Sequence, residues 1–187
     1  MGGPSIHKQV SARWEALKKE RSSWMSHWSE ISDYLLPRSG RFFVDDRNKG
    51  NKRHNQIYDS TATQALSILS AGMMSGMTSP ARPWFRLTTG DDDLDAYQPV
   101  KVWLDQVSRL MLKIFQSSNT YRALHSMYEE LGSFGTAASI MVPDFQSVIH
   151  HHPLTAGEYA ITTDWRGDVT TLYREFQKTV GQIVNTF

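Results

Sequence analysis

Within residues 5–36, apolar residues recur at alternating steps of three and four, provided that Arg21 is counted as one position of the series. This spacing predicts a single long helix with one apolar seam, which Pro37 ends because proline cannot continue the hydrogen-bond ladder. The seam either packs within the core or meets another chain in part. Its members are Val10, Trp14, Leu17, Trp24, Trp28, Ile31 and Leu35.

Three more helices are predicted over residues 60–78, 99–116 and 119–132. The first has an apolar face, and its Gly72 and Gly76 would let another helix approach closely. Between the first two, residues 84–89 have the composition of a strand, and the acidic run 91–95 is typical of a helix start. The expected apolar face of residues 60–78 consists of Ala62, Ala65, Leu66, Leu69, Met73 and Met77.

The last third of the chain changes to strand-like patterns at residues 137–142, 146–152, 158–163 and 169–176. Pro143 is expected to end the first strand, and residues 164–168 form a hairpin signal between the last two. A further helix begins near Thr179. The predicted fold class is therefore α+β, with residues 1–136 mostly helical and residues 137–187 β-rich.

Composition narrows the function classes. The 20 Lys and Arg balance 19 Asp and Glu, a net charge of +1, which gives no global field for binding nucleic acid. Cysteine is absent, which excludes disulfides and thiolate chemistry. Residues 60–81 carry no charge over a membrane-spanning length, but nine of them are Ser, Thr or Gln, so we expect no membrane span.

A basic loop interrupts the neutral chain at residues 38–55, where six basic residues face two acidic ones, a balance of +4. The loop is either a solvated turn region or a contact for DNA phosphates or an acidic partner. Phe42 and Phe43 are expected to anchor its first half. The candidate contact residues are Arg38, Arg41, Arg47, Lys49, Lys52 and Arg53.

Catalytic signals are weak, because no phosphate-binding loop, nucleophile elbow or zinc-protease motif occurs. We therefore expect no catalytic, cofactor-binding or metal residues. One alternative is a small metal-dependent hydrolase in which His150 and His152, on one face of a strand, share an ion with Asp164. Asp144 lies near the same histidines in sequence. Partly exposed strand histidines are the simpler interpretation.

Ordered sequence blocks carry a more specific signal, and the first of them is Trp28-x-x-Ile31-x-x-Tyr34-Leu35-Leu36-Pro37-Arg38-Ser39-Gly40-Arg41-Phe42. In order and spacing they resemble the head-to-tail connecting (portal) proteins of short-tailed phages. The resemblance runs from about residue 13 to residue 184. Its blocks occupy residues 28–42, 57–61, 65–73, 78–87, 132–137, 157–159 and 173–176.

This resemblance implies a structural subunit, not an enzyme, of a homo-oligomeric ring, typically a dodecamer, at one capsid vertex. Double-stranded DNA would pass through the ring, which would contact terminase, scaffolding, capsid and tail proteins in the virion, after assembly in the host cytoplasm. The chain would correspond to the wing, and the stem, clip and crown would be missing from it. The expected subunit-interface residues are Trp14, Trp24, Trp28 and Trp84.

Overall fold

The computed structural model describes residues 5–37, 39–42, 57–176 and 178–186. They form two compact units. Unit 1 contains the described residues up to Asp59 together with those from Thr155 onward, and unit 2 is Ser60–Leu154. The chain therefore leaves unit 1 after Asp59, forms unit 2 and returns to unit 1 at Thr155. The mixture of helices and small antiparallel sheets confirms the α+β fold class.

Unit 1 opens with two helices, α1 (Ile6–Glu20) and α2 (Ser22–Leu35). The prediction of one continuous helix is wrong, because the backbone at Arg21 has φ −79° and ψ −1°. That ψ lies far from the helical value, and the Trp24 N–H donates to the Arg21 carbonyl in a tighter turn, at 2.9 Å. The end of α2 immediately before Leu36 and Pro37 agrees with the prediction.

The strands of unit 1 are β3 (Tyr159–Thr163) and β4 (Val169–Arg174), an antiparallel hairpin followed by helix α7 (Val180–Thr186). The predicted turn between the strands is confirmed. An oxygen of Asp164 accepts from the N–H groups of Arg166 and Asp168 at 2.8 and 3.0 Å, and Gly167 supplies φ +89°. Apolar burial in unit 1 involves Leu17, Ala156, Tyr159 and Ala160.

Unit 2 contains the helices α3 (Thr61–Met77), α4 (Asp92–Ala96), α5 (Gln98–Ser117) and α6 (Thr120–Phe134). The acidic run does start a helix, since the Asp91 side chain accepts from the N–H groups of Asp93 and Leu94. The strand predicted at residues 84–89 is wrong. That segment has no strand pairing among the described residues, because Trp84 and Phe85 pack against Phe115 instead.

Helices α3 and α6 pack together around Leu66, Ser70 and Tyr128, all buried. The Thr78 and Tyr128 hydroxyls hydrogen-bond within this interior at 2.9 Å. The close helix approach occurs at Gly132, where an added Cβ would lie 3.0 Å from a Leu66 methyl carbon. The prediction for Gly72 and Gly76 is wrong, since a Cβ at either would meet no described atom within 4 Å.

The predicted apolar face of α3 is therefore only partly buried. Leu66 is buried, whereas Leu69 and Met77 are about half exposed and Ala62 and Ala65 lie in solvent. No helix in the described part of the chain is both long enough and apolar enough to cross a membrane.

The second hairpin pairs β1 (Ala138–Asp144) with β2 (Val148–Leu154), and α6 packs against it. Pro143 lies within β1, opposite Ile149, so the prediction that it ends the strand is wrong. Asn119 joins α6 to β2: its side-chain amide donates to the His151 carbonyl at 2.7 Å and accepts from the His151 N–H at 2.8 Å. Val148, next to the turn, has φ +70°.

Candidate assembly surfaces

Trp14 and Trp84, two of the expected interface tryptophans, are each engaged within their own unit. The Trp14 ring stacks on Tyr173 of β4 at 6.4 Å between ring centres, and Lys18 and Arg21 each place a cation just over 5 Å from it. The Trp84 ring stacks on Phe115 at 6.1 Å, and its indole N–H donates to the Tyr121 hydroxyl at 3.3 Å. Both rings are half-buried, so most of their surface serves internal packing.

Trp24 and Trp28 form a pair on the outer side of α2. Their ring centres lie 6.1 Å apart, and the Trp24 side also contacts His27. Trp24 is 56% exposed, whereas Trp28 is half-buried. Of the four expected tryptophans, Trp24 is therefore the one with a large surface free for another molecule.

A second apolar surface lies on α5. Trp103 and Leu110 are 60% and 57% exposed. Val107, which lies between them, and Ile114, which follows Leu110, are half-buried. These four residues recur at steps of four, three and four, so they form one stripe along the helix, called here the α5 stripe. Periodicity identifies the stripe but does not indicate whether it faces a core or another chain.

The first residues of the basic loop are held against the turn at Thr155–Glu158. The Gly40 N–H donates to the Thr155 hydroxyl, and the Arg41 N–H donates to the Ala156 carbonyl at 2.7 Å. Gly157 has φ +88°, and a Cβ there would clash with the Arg41 carbonyl. The turn therefore requires glycine both for its backbone conformation and for the approach of residues 40–42.

Glu158 lies at the centre of the charges in this region and is buried. One of its oxygens accepts two hydrogen bonds from the Arg174 guanidinium, at 2.6 and 2.8 Å. The same oxygen lies 3.8 Å from the guanidinium of Arg41. The Arg41 side chain remains half exposed. Arg41 therefore starts the basic loop with part of its charge balanced by Glu158 and part available to solvent.

Arg21 ties the break between α1 and α2 to β3. Its guanidinium donates to the carbonyls of Tyr159 and Gly157, the latter at 3.1 Å. Burial lowers the pKa of Arg21 below its ordinary value, and the negative charge of Glu175 opposes that effect. Sequence reasoning treated Arg21 as a gap in an apolar seam, and no local pattern identifies its distant carbonyl partners.

The other candidate loop residues lie outside the described part of the chain. These are Arg38, Arg47, Lys49, Lys52 and Arg53, and Phe43 of the expected anchor lies there as well. Of the six candidate contact residues, Arg41 is the one that the structure describes, and Phe42 is the described residue of the expected anchor.

The histidine cluster on β2 separates into two faces. His150 and His152 lie side by side, with ring centres 4.7 Å apart, whereas His151 takes the opposite face. Within the described ranges no three His, Asp or Glu side chains are placed to hold a metal together. Asp164 belongs to unit 1, and its carboxylate serves its own turn.

Two further groups at this hairpin have a pKa shifted from the ordinary value. Burial lowers the pKa of His151 below its ordinary value, and His150 acts in the same direction. Hydrogen bonds from Ser147, first from its hydroxyl and then from its backbone N–H, lower the pKa of Asp144. Ser147 and Asp144 thus close the β1–β2 turn, with both bonds to one carboxylate oxygen at 2.7 Å.

Comparison with known proteins decides among these interpretations. The sequence model of the family described as "Bacteriophage head to tail connecting protein" matches residues 7–187. The chain belongs to this family. The resemblance of the ordered sequence blocks is thereby confirmed, whereas neither the hydrolase nor the nucleic-acid-binding module gains support from any match.

Two phage proteins illustrate the relationship. The chain is 68% identical to a probable portal protein of Bordetella phage BPP-1 over all 187 of its residues, which are 34% of that relative. It is 47% identical to the portal protein of Salmonella phage epsilon15 over 171 residues, 91% of this chain and 31% of that relative. The chain spans about a third of the length of both curated relatives.

Proposed function

We propose that this chain is a structural part of a phage portal, the head-to-tail connector ring at one vertex of the capsid. The observation that carries the proposal is the family match over residues 7–187. The two relatives, both named as portal proteins, support the same assignment. The role is structural and not enzymatic: the protein assembles with other copies of itself, and DNA enters and leaves through the resulting ring.

The exposed apolar surfaces support an assembly role. A closed ring needs two different faces on each subunit, because every copy meets one neighbour on each side. Trp24 with Trp28 on α2 is an exposed apolar surface of unit 1, and the α5 stripe is one of unit 2. In our proposal both surfaces contact neighbouring subunits of a dodecameric ring. Trp14 and Trp84 instead stabilise their own units.

The charge distribution supports a passage for double-stranded DNA. A net charge of +1 keeps phosphates from binding tightly, which lets DNA slide. The basic loop, from Arg38 to Arg53, then supplies a limited contact for DNA or for an acidic partner. Arg41, half exposed and partly balanced by Glu158, is the described residue of that contact.

The remaining partners follow from the same proposal. They are terminase during packaging, scaffolding and capsid proteins during head assembly, and the tail in the finished particle. The protein would then reside at the portal vertex of the virion, after assembly in the host cytoplasm. The chain corresponds to the wing of the ring, and the stem, clip and crown belong to sequence not contained in these 187 residues.

A chimeric portal tests the proposal. The matching third of the Bordetella phage protein is replaced by this chain, and the hybrid is supplied to a phage lacking its own portal gene. We expect rings, dodecameric by electron microscopy, DNA-filled heads and plaques, because 68% identity preserves most contacts. The same hybrid carrying Trp24→Glu should fold but assemble less well.

The control is a hybrid in which an exposed polar residue outside α2 and α5 changes, such as Ser11→Glu on α1. A soluble, folded hybrid that forms neither rings nor filled heads would contradict the portal assignment. Ring formation that Trp24→Glu leaves unchanged would contradict the proposed α2 surface while leaving the portal function in place.

A further inference from the structure

His150 and His152 occupy alternate positions of β2 and therefore project from the same face of the β1–β2 hairpin. The ladder fixes this arrangement: His150 pairs with Val142 and His152 pairs with Ile140. His152 is exposed and His150 is half-buried, so an ion from solvent can reach both rings.

The spacing of the two rings matches what one metal ion requires. Imidazole nitrogens bind a tetrahedral ion at about 2.0–2.1 Å, which places the two ring centres roughly 5 Å apart. The observed separation is 4.7 Å, with 60° between the ring planes. Small rotations of the side chains bring a nitrogen of each ring to a common point, and the paired backbone does not have to move.

We propose that His150 and His152 form a bidentate binding site for a divalent transition-metal ion of the Cu²⁺, Ni²⁺ or Zn²⁺ type. Neutral imidazole is a preferred ligand for these ions. Water fills the remaining coordination positions, because only two histidine ligands converge here. The site differs from the hydrolase centre considered above, since it needs no third protein ligand and performs no reaction, and it does not depend on the portal assignment.

Asp144 adds a favourable charge to the same face. It is the β1 residue opposite Val148, and His150 lies two positions further along β2. Its carboxylate interacts electrostatically with His150 while Ser147 holds one of its oxygens. A cation bound at His150 and His152 therefore lies near a fixed negative charge.

The chain has no cysteine, so no thiolate draws the ion away. His151 points to the opposite face of β2 from the pair. His7 is an exposed histidine of α1 and provides a matched control for a single imidazole.

Isothermal titration of the metal-free, untagged chain with CuCl₂, NiCl₂ and ZnCl₂ tests the proposal. We expect one ion per chain. His150→Ala and His152→Ala should each lower the affinity by about 10-fold or more, because each removes one of two ligands. His7→Ala should leave the affinity unchanged, and Asp144→Asn should weaken it by less than either ligand variant.

Thermal unfolding without metal identifies variants that fail to fold; for such a variant the Gln substitution replaces the Ala substitution. Equal affinity in the wild type and the His150→Ala/His152→Ala double variant would overturn the proposal. So would a loss confined to one of the two histidines, since a bidentate site needs both.

Discussion

The two units of this protein are held together in different ways. Unit 1 joins segments far apart in sequence by polar contacts: Arg21 reaches carbonyls 136 and 138 residues away, and Gly40 reaches Thr155 across 115 residues. Unit 2 is one continuous segment in which α6 packs against α3, α5 and the β1–β2 hairpin. Its central polar contact, Thr78 with Tyr128, spans 50 residues.

This difference predicts which substitutions destabilise each unit. Each distant contact in unit 1 closes a long loop, and its hydrogen bonds, together with the apolar packing around Leu17 and Tyr159, offset the entropy cost of closure. Unit 2 relies more on the packing of α6 against α3 and the β1–β2 hairpin. Single polar substitutions should therefore affect unit 1 more than unit 2, and hydrogen exchange can measure the two units separately.

The largest expected effect is at the Gly157 turn. Gly157→Ala must adopt φ +88° and also displace the Arg41 carbonyl, so we expect a loss of about 3 kcal/mol or more in unit 1. Gly167→Ala is the matched control, because Gly167 has φ +89° and no described atom within 4 Å of an added Cβ. It should cost only about 1 kcal/mol.

Hydrogen exchange at β3 and β4, with urea unfolding, measures both glycine variants. If Gly157→Ala costs no more than Gly167→Ala, the contact between residues 40–42 and the turn does not stabilise unit 1.

The next effect is at Arg21. Arg21→Met keeps most of the side-chain volume but removes both bonds to carbonyls of the β3 region, so we expect a loss of about 2–3 kcal/mol. Arg109→Met on α5 is the control, because the Arg109–Asp105 pair lies on the surface and should contribute about 0.5 kcal/mol or less. Comparable losses in both variants would remove the proposed contrast between the units.

A smaller effect is expected inside unit 2. Thr78→Val leaves the Tyr128 hydroxyl without its buried partner, which should cost about 1–2 kcal/mol. Tyr128→Phe should cost a similar amount, and the double variant less than the sum, because the first change already removes the bond. Strictly additive costs, measured by urea unfolding, would mean that this hydrogen bond contributes nothing.

The smallest effect is a dependence of unit 2 on pH. Burial lowers the pKa of His151 in the folded state, so the folded form binds a proton less readily than the unfolded chain. Stability is then fully present above the ordinary histidine pKa of about 6.5 and falls as the pH drops through the folded value. His151→Leu should flatten this part of the dependence of stability on pH. Hydrogen exchange at β2 measures the change. An unchanged slope would contradict this assignment.

Most helices and both hairpins follow from local sequence. The cap at Asp91, the turn at residues 164–168 and the stop at Pro37 each depend on neighbouring residues only, so they are predictable. The break at Arg21 is not, and the carbonyls that its side chain bonds lie more than 130 residues away in sequence. Likewise, Trp84 and Phe85 have strand-like composition but pack against a helix.

The candidate surfaces are likewise predictable from the sequence only in part. Residue type and spacing identify tryptophans and apolar helix faces, but exposure depends on tertiary packing. Trp24 and Trp14 lie on the same predicted seam, yet one is largely exposed and the other is covered by Tyr173, Lys18 and Arg21.

The amide of Asn119 imitates a peptide group: it offers the outer side of β2 the donor and acceptor that another strand would provide. An incoming strand from a second molecule would first have to displace Asn119 at His151. One side chain thus protects a sheet edge against unwanted pairing between chains. In the ring that we propose, where copies of the chain lie side by side, this protection would favour ordered side-chain contacts over aggregation through the backbone.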